Sequence, residues 1–173
     1  MAKLKSVLEN TTNAALLVEC GLLAWLFLAH QDLWLHGRQD QVPETQALLG
    51  KTLPSLPDHD WKSQNQTLVM ALRQGCHFCE ASMPFYKRLS DLRKTDRIRV
   101  RLLAVMPDPE TVASAQLQEN GVDVEGAFQQ PLRSLNVSAT PTLLLVNADG
   151  KVLRAWVGQL TPQQESEVVS AVH

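Results

Sequence analysis

The stretch TLVMALRQGCHFCEASMPFYKRLSDL, residues 67–92, holds the transition on which the fold turns. Its first six residues, TLVMAL (67–72), form a continuous apolar run of strand length, the pattern of a strand buried on both faces of a parallel or mixed sheet. Gly75 follows, and then Cys76-His77-Phe78-Cys79. From Cys79 onward Met83, Tyr86, Leu89 and Leu92 recur every three residues with Phe85 beside them, while Glu80, Lys87, Arg88 and Lys94 fall elsewhere. That spacing predicts an amphipathic helix. Pro84 lies inside it and should kink it, because proline supplies no N–H and clashes with the preceding turn. The two cysteines therefore sit where a buried strand gives way to a helix N-terminus.

Downstream, IRVRLLAVM (98–106) starts as an alternating strand and becomes uniformly apolar. Asp108-Pro109-Glu110 then reads as an N-cap, a proline at the first helical position and an acid in the first turn, opening a helix that should stop near Gly121. A second helix start is readable at Gln130-Pro131. TLLLV (142–146) is a third strand, Asn147 to Gly150 a hairpin turn, and VLRAWV (152–157) its antiparallel partner. Thr161-Pro-Gln-Gln164 matches a capping box and opens a last helix carrying Val168, Val169 and Val172. Strand, helix, strand, helix, hairpin, helix implies an α/β sandwich around a central mixed sheet.

Upstream the chain changes character. Residues 14–29, AALLVECGLLAWLFLA, are interrupted only by Glu19 and Gly21 and need residues 11–13 and His30 to approach the ~30 Å of a bilayer core. Eight Leu, Val and Phe residues favour insertion by about 0.3–0.6 kcal/mol each, and Glu19 opposes it by about 2.5–3.5 kcal/mol. Lys3 and Lys5 precede the run, which is the polarity of a signal anchor with its N-terminus inside. No A-x-A-like cleavage site is visible. The expected organisation is a cytoplasmic 1–10, a single-pass transmembrane anchor over 11–30, a turn-rich tether over 31–59 containing Pro43, Gly50, Pro54 and Pro57, and one folded extracytoplasmic domain over 60–173.

Composition sets limits on function. The 173 residues are 45% hydrophobic and 20% charged with a formal charge of −2 and 5% aromatics, so neither the charge nor the stacking surface for nucleic acid is supplied. Three cysteines are too few for a disulfide scaffold. A C-x-x-C pair at a helix start is different. Unpaired N–H groups and the positive end of the helix dipole stabilise a thiolate at Cys76, and Cys79, one turn inside, reaches back to form or resolve a short disulfide. A zinc or copper half-site is the competing reading, in which Cys76, His77 and Cys79 would serve a non-enzymatic metallochaperone. It lacks a second C-x-x-C or an H-x₃-H. A thiol peroxidase would need Pro and Thr upstream of its reactive cysteine, where this chain has Val69 and Arg73.

Cys76-His77-Phe78-Cys79 after a hydrophobic strand, Pro84 five residues beyond the second cysteine, and Ala139-Thr140-Pro141-Thr142 opening the next buried strand together resemble the thioredoxin superfamily. The likeness covers roughly residues 60–172. The long connection from Val105 to Asn136, Gly50-Lys-Thr-Leu-Pro54 and the N-terminal run make it most similar to the membrane-tethered TlpA/ResA-type thiol-disulfide oxidoreductases. The resemblance implies that Cys76 is the attacking thiol and Cys79 the buried resolving thiol. It also implies that Thr140-Pro141 is a cis-proline loop presenting its backbone to substrate, that no cofactor is needed beyond the redox-active disulfide, and that the partners are protein thiols or disulfides with a redox donor or acceptor protein. Two departures stand out: Gly75 replaces the usual Trp, and Met70 stands where relatives bury an acid, so Glu80 or water would have to take the proton of the second thiol.

Three neighbours keep two readings each. His77, if protonated, stabilises a Cys76 thiolate and makes the couple more oxidising; as a solvated neutral imidazole it has little influence. The direction of exchange stays open on this ground. Phe78 is either part of an apolar substrate rim or a cover for Pro141. The basic residues Lys87, Arg88, Arg93, Lys94, Arg97, Arg99 and Arg101 read as a solvated face or as a docking surface.

Overall fold

A computed structural model describes residues 22–26, 41–57, 59–63 and 65–173. The chain divides into two units, Met1–Val42 and Pro43–His173. In the first, residues 22–26 are helical, with Leu22, Leu23, Trp25 and Leu26 exposed. Among the described residues no helix is long and apolar enough to cross a membrane, and most of the anchor expected over 11–30, including Cys20, lies outside them.

The second unit is built on a five-stranded sheet. Its strands are β1 (Gln66–Ala71), β2 (Arg101–Met106), β3 (Gly126–Gln129), β4 (Thr142–Asn147) and β5 (Val152–Val157), ordered β3-β2-β1-β4-β5. β1 pairs in parallel with β2 and β2 with β3, whereas β4 runs antiparallel to both β1 and β5. The helices are α1 (Gln41–Leu48), α2 (His77–Lys94), α3 (Glu110–Glu119) and α4 (Pro162–Ala171), with 3-10 turns at Trp61–Ser63 and Leu132–Leu135. α2 runs unbroken through Pro84.

Alternate residues of the central strands enter two separate cores, as the two-residue period of a strand requires. Leu68, Met70, Leu102, Ala104, Leu143 and Leu145 pack with Cys79, Met83, Tyr86 and Leu89 of α2, Ala113 and Leu117 of α3 and Val168 of α4. Val69, Ala71, Leu103, Val105, Leu144 and Val146 pack on the other face with Leu48, Leu53, Leu56, Trp61, Leu132 and Leu135. β1 is thus buried on both sides, which is why its sequence is uniformly apolar.

The second core takes in part of the segment read as a tether over 31–59, residues 31–40 of which lie outside the described residues. Leu48, Leu53 and Leu56 are each no more than 3% exposed, Leu53 N–H donates to Gly150 O at 2.8 Å, and Thr52 bridges to Lys151. A central strand apolar on both faces must be covered twice. The turn-rich segment from Leu48 onward supplies part of the second cover, and each buried leucine contributes about 1.5–3 kcal/mol. Two further elements differ from the sequence reading. The edge strand β3 was not expected, and the start read at Gln130-Pro131 is a single 3-10 turn ending on Asn136 at φ 59°. The last helix forms as read: Gln164 N–H donates to Thr161 Oγ1 at 3.3 Å and Thr161 N–H to Gln164 Oε1 at 2.9 Å.

Candidate functional site

Because β1 ends at Ala71 and α2 begins at His77, the intervening loop delivers Cys76 to the helix as its N-cap residue. Gly75 turns the chain at φ +65°, a conformation that costs glycine little and other residues more. Cys79 N–H donates to Cys76 Sγ at 3.2 Å, so the sulfur occupies the place a Ser or Asp oxygen takes in an ordinary N-cap. The two cysteines form a disulfide with a Cα–Cα distance of 5.2 Å, within the usual range. Their environments are unequal: Cys76 is half-buried, whereas Cys79 is 0% exposed and packs in the first core with Met70 and Met83.

Thr140 and Pro141 come to the same place from 64 residues downstream. Their peptide bond is cis. Thr140 Oγ1 donates to Cys76 Sγ at 3.4 Å, and the Thr140 carbonyl oxygen lies 3.6 Å from that sulfur. The loop is fixed from both sides, since Thr142 Oγ1 donates to Ala139 O at 2.8 Å and Gly158 N–H to Pro141 O at 2.7 Å. Ser138 hydrogen-bonds Glu44 of α1, tying the segment before the proline to the cover of the second core.

The modulating candidates spread around this centre. His77 and Phe78 are exposed and meet edge to face, ring centroids 5.6 Å apart. At 56% exposure Phe78 stands out as an apolar surface beside the cysteines, and Pro141 is buried. Glu80 is exposed and lines a cleft with α3 residues, while Cys79 is enclosed by apolar side chains. Cys76, His77 and Cys79 do not gather as a metal-ligating cluster, and among the described residues no group of three or more His, Cys, Asp or Glu does.

One nearby contact escaped the sequence reading. Asp108 is not the N-cap of α3; that position is Pro109, with no side-chain cap bond. The Asp108 carboxylate instead accepts from Gln74 N–H at 3.0 Å and so holds the loop just before Cys76. An Asp-Pro pair ahead of a helix carries the signature of a local cap, and no sequence signal distinguishes it from a tie to a segment 34 residues away. Five of the seven basic residues enter internal ion pairs: Lys87 with Asp91, Arg88 with Glu165, Arg93 with Asp123 and Glu125, Lys94 with Asp123 and Arg101 with Glu125; Arg97 and Arg99 are exposed and enter none among the described residues.

Comparison with known families matches residues 61–173 to the thioredoxin-like domain. The chain belongs to that family. Solved structures with the same fold include a thiol:disulfide interchange protein from Bacteroides sp. (18% identity, TM-score 0.56, covering 72% of this chain and 90% of that one). The thioredoxin domain of a thiol-disulfide oxidoreductase from Bacteroides vulgatus is also similar (19% identity, TM-score 0.53, covering 72% and 98%). A third is a secreted thiol-disulfide isomerase from Corynebacterium glutamicum (16% identity, TM-score 0.51, covering 65% and 71%). No curated protein matches. The thioredoxin-like fold, with Cys76 at the start of a helix and a cis Thr140-Pro141 bond beside its sulfur, is the geometry the family resemblance implied.

Proposed function

We propose that this thioredoxin-like protein is an oxidoreductase that exchanges its Cys76–Cys79 disulfide with protein thiols, Cys76 being the sulfur that meets substrate. The observation that carries the proposal is the asymmetry of the pair. Cys76 Sγ is half-buried beside donors from Cys79 N–H and the Thr140 hydroxyl, and Cys79 is enclosed. Donors aimed at one sulfur favour negative charge there, which makes it the better leaving group and, when reduced, the nucleophile.

In the oxidising direction a substrate thiolate attacks Cys76 Sγ, the S–S bond breaks, and Cys79 leaves as a thiolate that takes up a proton. A second substrate thiolate then attacks the substrate sulfur of the mixed disulfide and releases Cys76. Two electrons pass from the substrate dithiol to the protein, and the same steps reversed reduce a substrate disulfide. Thr140 and Pro141 present backbone to the bound segment, and Phe78 offers it an apolar rim. With Met70 rather than an acid beside it, Cys79 draws its proton from water or Glu80. A redox titration of the protein followed by thiol alkylation tests this reading and sets the direction. A single two-electron couple lost in Cys76→Ser is expected; a pair of thiols that never cycles would refute it.

The proposal extends to location. Lys3 and Lys5 ahead of the apolar residues 14–29 support a single-pass anchor over 11–30 with the domain outside the cytoplasm, where thiols meet disulfides. The secreted character of the C. glutamicum isomerase is in keeping with this. Activity of an extracytoplasmic reporter fused after His173, with the protein in the membrane fraction, is the expected result. A reporter active only in the cytoplasm would refute the placement.

A further inference from the structure

Residues 73–75 bring the chain out of the sheet to Cys76, and all three are exposed. Gly75 makes its turn at φ +65°, and a Cβ placed on it would meet nothing within 4 Å, so packing does not steady the turn. Among the described residues these three have a single hydrogen-bond tie, from Gln74 N–H to the Asp108 carboxylate at 3.0 Å. The next ties along the chain are Leu72 N–H to Val105 O at 3.0 Å on one side and Cys79 N–H to Cys76 Sγ at 3.2 Å on the other.

Asp108 is itself well fixed. It is half-buried just past the end of β2, between Pro107 and Pro109. Met106 O accepts from Gln130 N–H at 2.8 Å, Pro107 O from Gln129 Nε2 at 3.3 Å, and Pro109 O from the Val112 and Ala113 amides of α3 at 2.9 and 3.0 Å. The carboxylate is not spent on α3, whose N-cap is Pro109 without a side-chain cap bond. A braced segment thus offers a charged acceptor, the stronger kind, to a loop that has no other tie. That loop ends on the reactive sulfur. Cys79 N–H and Thr140 Oγ1 reach Cys76 Sγ only while Cys76 stands at the N-cap of α2, and donors aimed at a sulfur favour its thiolate.

We propose that Asp108 is a positioning residue for exchange: through Gln74 it holds Cys76 where those two donors meet the sulfur. The inference rests on the exchange reading above and adds a residue to it. The charge of Asp108 acts in the opposite sense, since a nearby carboxylate disfavours a thiolate, so tie and charge separate by sign. The other ionisable residues around the loop, Arg73, His77, Glu80 and Glu110, are exposed and are left in place by the test.

The test compares Asp108→Ala, Asp108→Leu and Asp108→Asn in the whole chain. Asn keeps an acceptor without the charge; Ala and Leu lose both, and Leu stays close to Asp in shape. Alkylation of Cys76 in the reduced protein, followed against pH by mass spectrometry, reads the thiolate. Exchange is read with a single-cysteine peptide capped as a disulfide with 2-mercaptoethanol. Cys76 attacks the peptide sulfur and displaces 2-mercaptoethanol, and Cys79 then attacks Cys76 and releases the peptide thiol, so the peptide disulfide becomes two thiols while the protein dithiol becomes a disulfide. In Asp108→Ala and Asp108→Leu the alkylation profile should move up by about one pH unit and exchange at pH 7 should slow about five-fold. Asp108→Asn should keep the profile in place or lower it, with exchange close to that of the unsubstituted protein. A purely structural role would lower the thermal midpoint and leave the profile where it was. A profile that is unmoved or lowered in Ala and Leu, or raised as far in Asn, would overturn the inference. So would a Gln74 amide that exchanges hydrogen in the unsubstituted protein as fast as a free loop amide, a result that needs no variant to fold. Failure of the unsubstituted protein to reduce the peptide disulfide would instead overturn the exchange reading itself.

Discussion

The two ends of the central strands are furnished in opposite ways. At the end where β1 and β2 begin, Arg101 pairs with Glu125 at 3.3 Å and contacts His59 Nδ1 at 3.2 Å, and Arg93 bridges Asp123 and Glu125. These charges have partners within the chain and so serve the fold, while Arg97 and Arg99 just before β2 are exposed and enter no ion pair among the described residues. At the end where β1 leads into Cys76, His77, Phe78 and Glu80 are exposed and a cleft opens next to the disulfide. Polar groups that a chain leaves unpaired are available to something else, whereas paired ones are already used. The contrast separates the part of the molecule that acts from the part that holds it.

The strongest way to break the comparison is to remove the sulfur on which the open end depends. Cys76→Ser should reduce dithiol–disulfide turnover to the uncatalysed rate with the thermal midpoint of the reduced protein nearly unchanged, measured by reduction of a disulfide-bonded protein and by circular dichroism. A large loss of stability would mean that Cys76 serves the fold. Next in size is Leu53→Ala, which should cost about 2–4 kcal/mol in denaturant unfolding, as expected when a buried leucine leaves a cavity. A cost within about 0.5 kcal/mol would restore the reading of this segment as a tether.

Smaller effects sharpen the comparison. Thr140→Val keeps the shape of the cis-proline loop but removes the hydroxyl donor to Cys76, and exchange should slow about five-fold with stability little changed. An unaltered rate would mean that this contact has no part in exchange. The smallest effect belongs to the paired end. Burial, helped by Arg101, holds the His59 imidazole below its ordinary range, so the unfolded chain binds a proton there more readily than the folded one. Stability should accordingly fall as pH drops through about 6.5, by about 2 °C in midpoint between pH 7.5 and 5.5, and His59→Asn should flatten that slope. Glu125 has the opposite sign, because burial raises its carboxyl despite Arg93 and Arg101, so its contribution is lost as pH rises above the ordinary carboxylate range. An identical slope in His59→Asn would remove His59 from the balance.

Features encoded within a few residues were legible in the amino-acid sequence. The apolar 67–72, the C-x-x-C step into α2, the hairpin turn at Asn147 to Gly150 and the capping box at Thr161 each state their structure locally, and each forms as read. Thr140 and Cys76 could be brought together only through resemblance, since nothing within 64 residues of chain says that they touch. What stayed hidden were uses of residues at a distance. Asp108 looks like a cap and instead ties down Gln74, and Leu48, Leu53 and Leu56 sit among Gly50, Pro54 and Pro57 with no period to show that they cover the second face of the sheet. β3 is four residues long at a sheet edge, too short for alternation to register.

The central claim is that Cys76 meets substrate and Cys79 resolves the intermediate. It is tested most directly by mixing reduced Cys79→Ser and Cys76→Ser proteins with the same disulfide-capped peptide and weighing the products by intact-mass spectrometry. The account predicts a stable, thiol-reducible peptide adduct on Cys79→Ser, because Cys76 attacks and nothing releases it, and none on Cys76→Ser, whose remaining sulfur is enclosed by the core. Adducts of equal yield on both variants, or an adduct on Cys76→Ser alone, would contradict it.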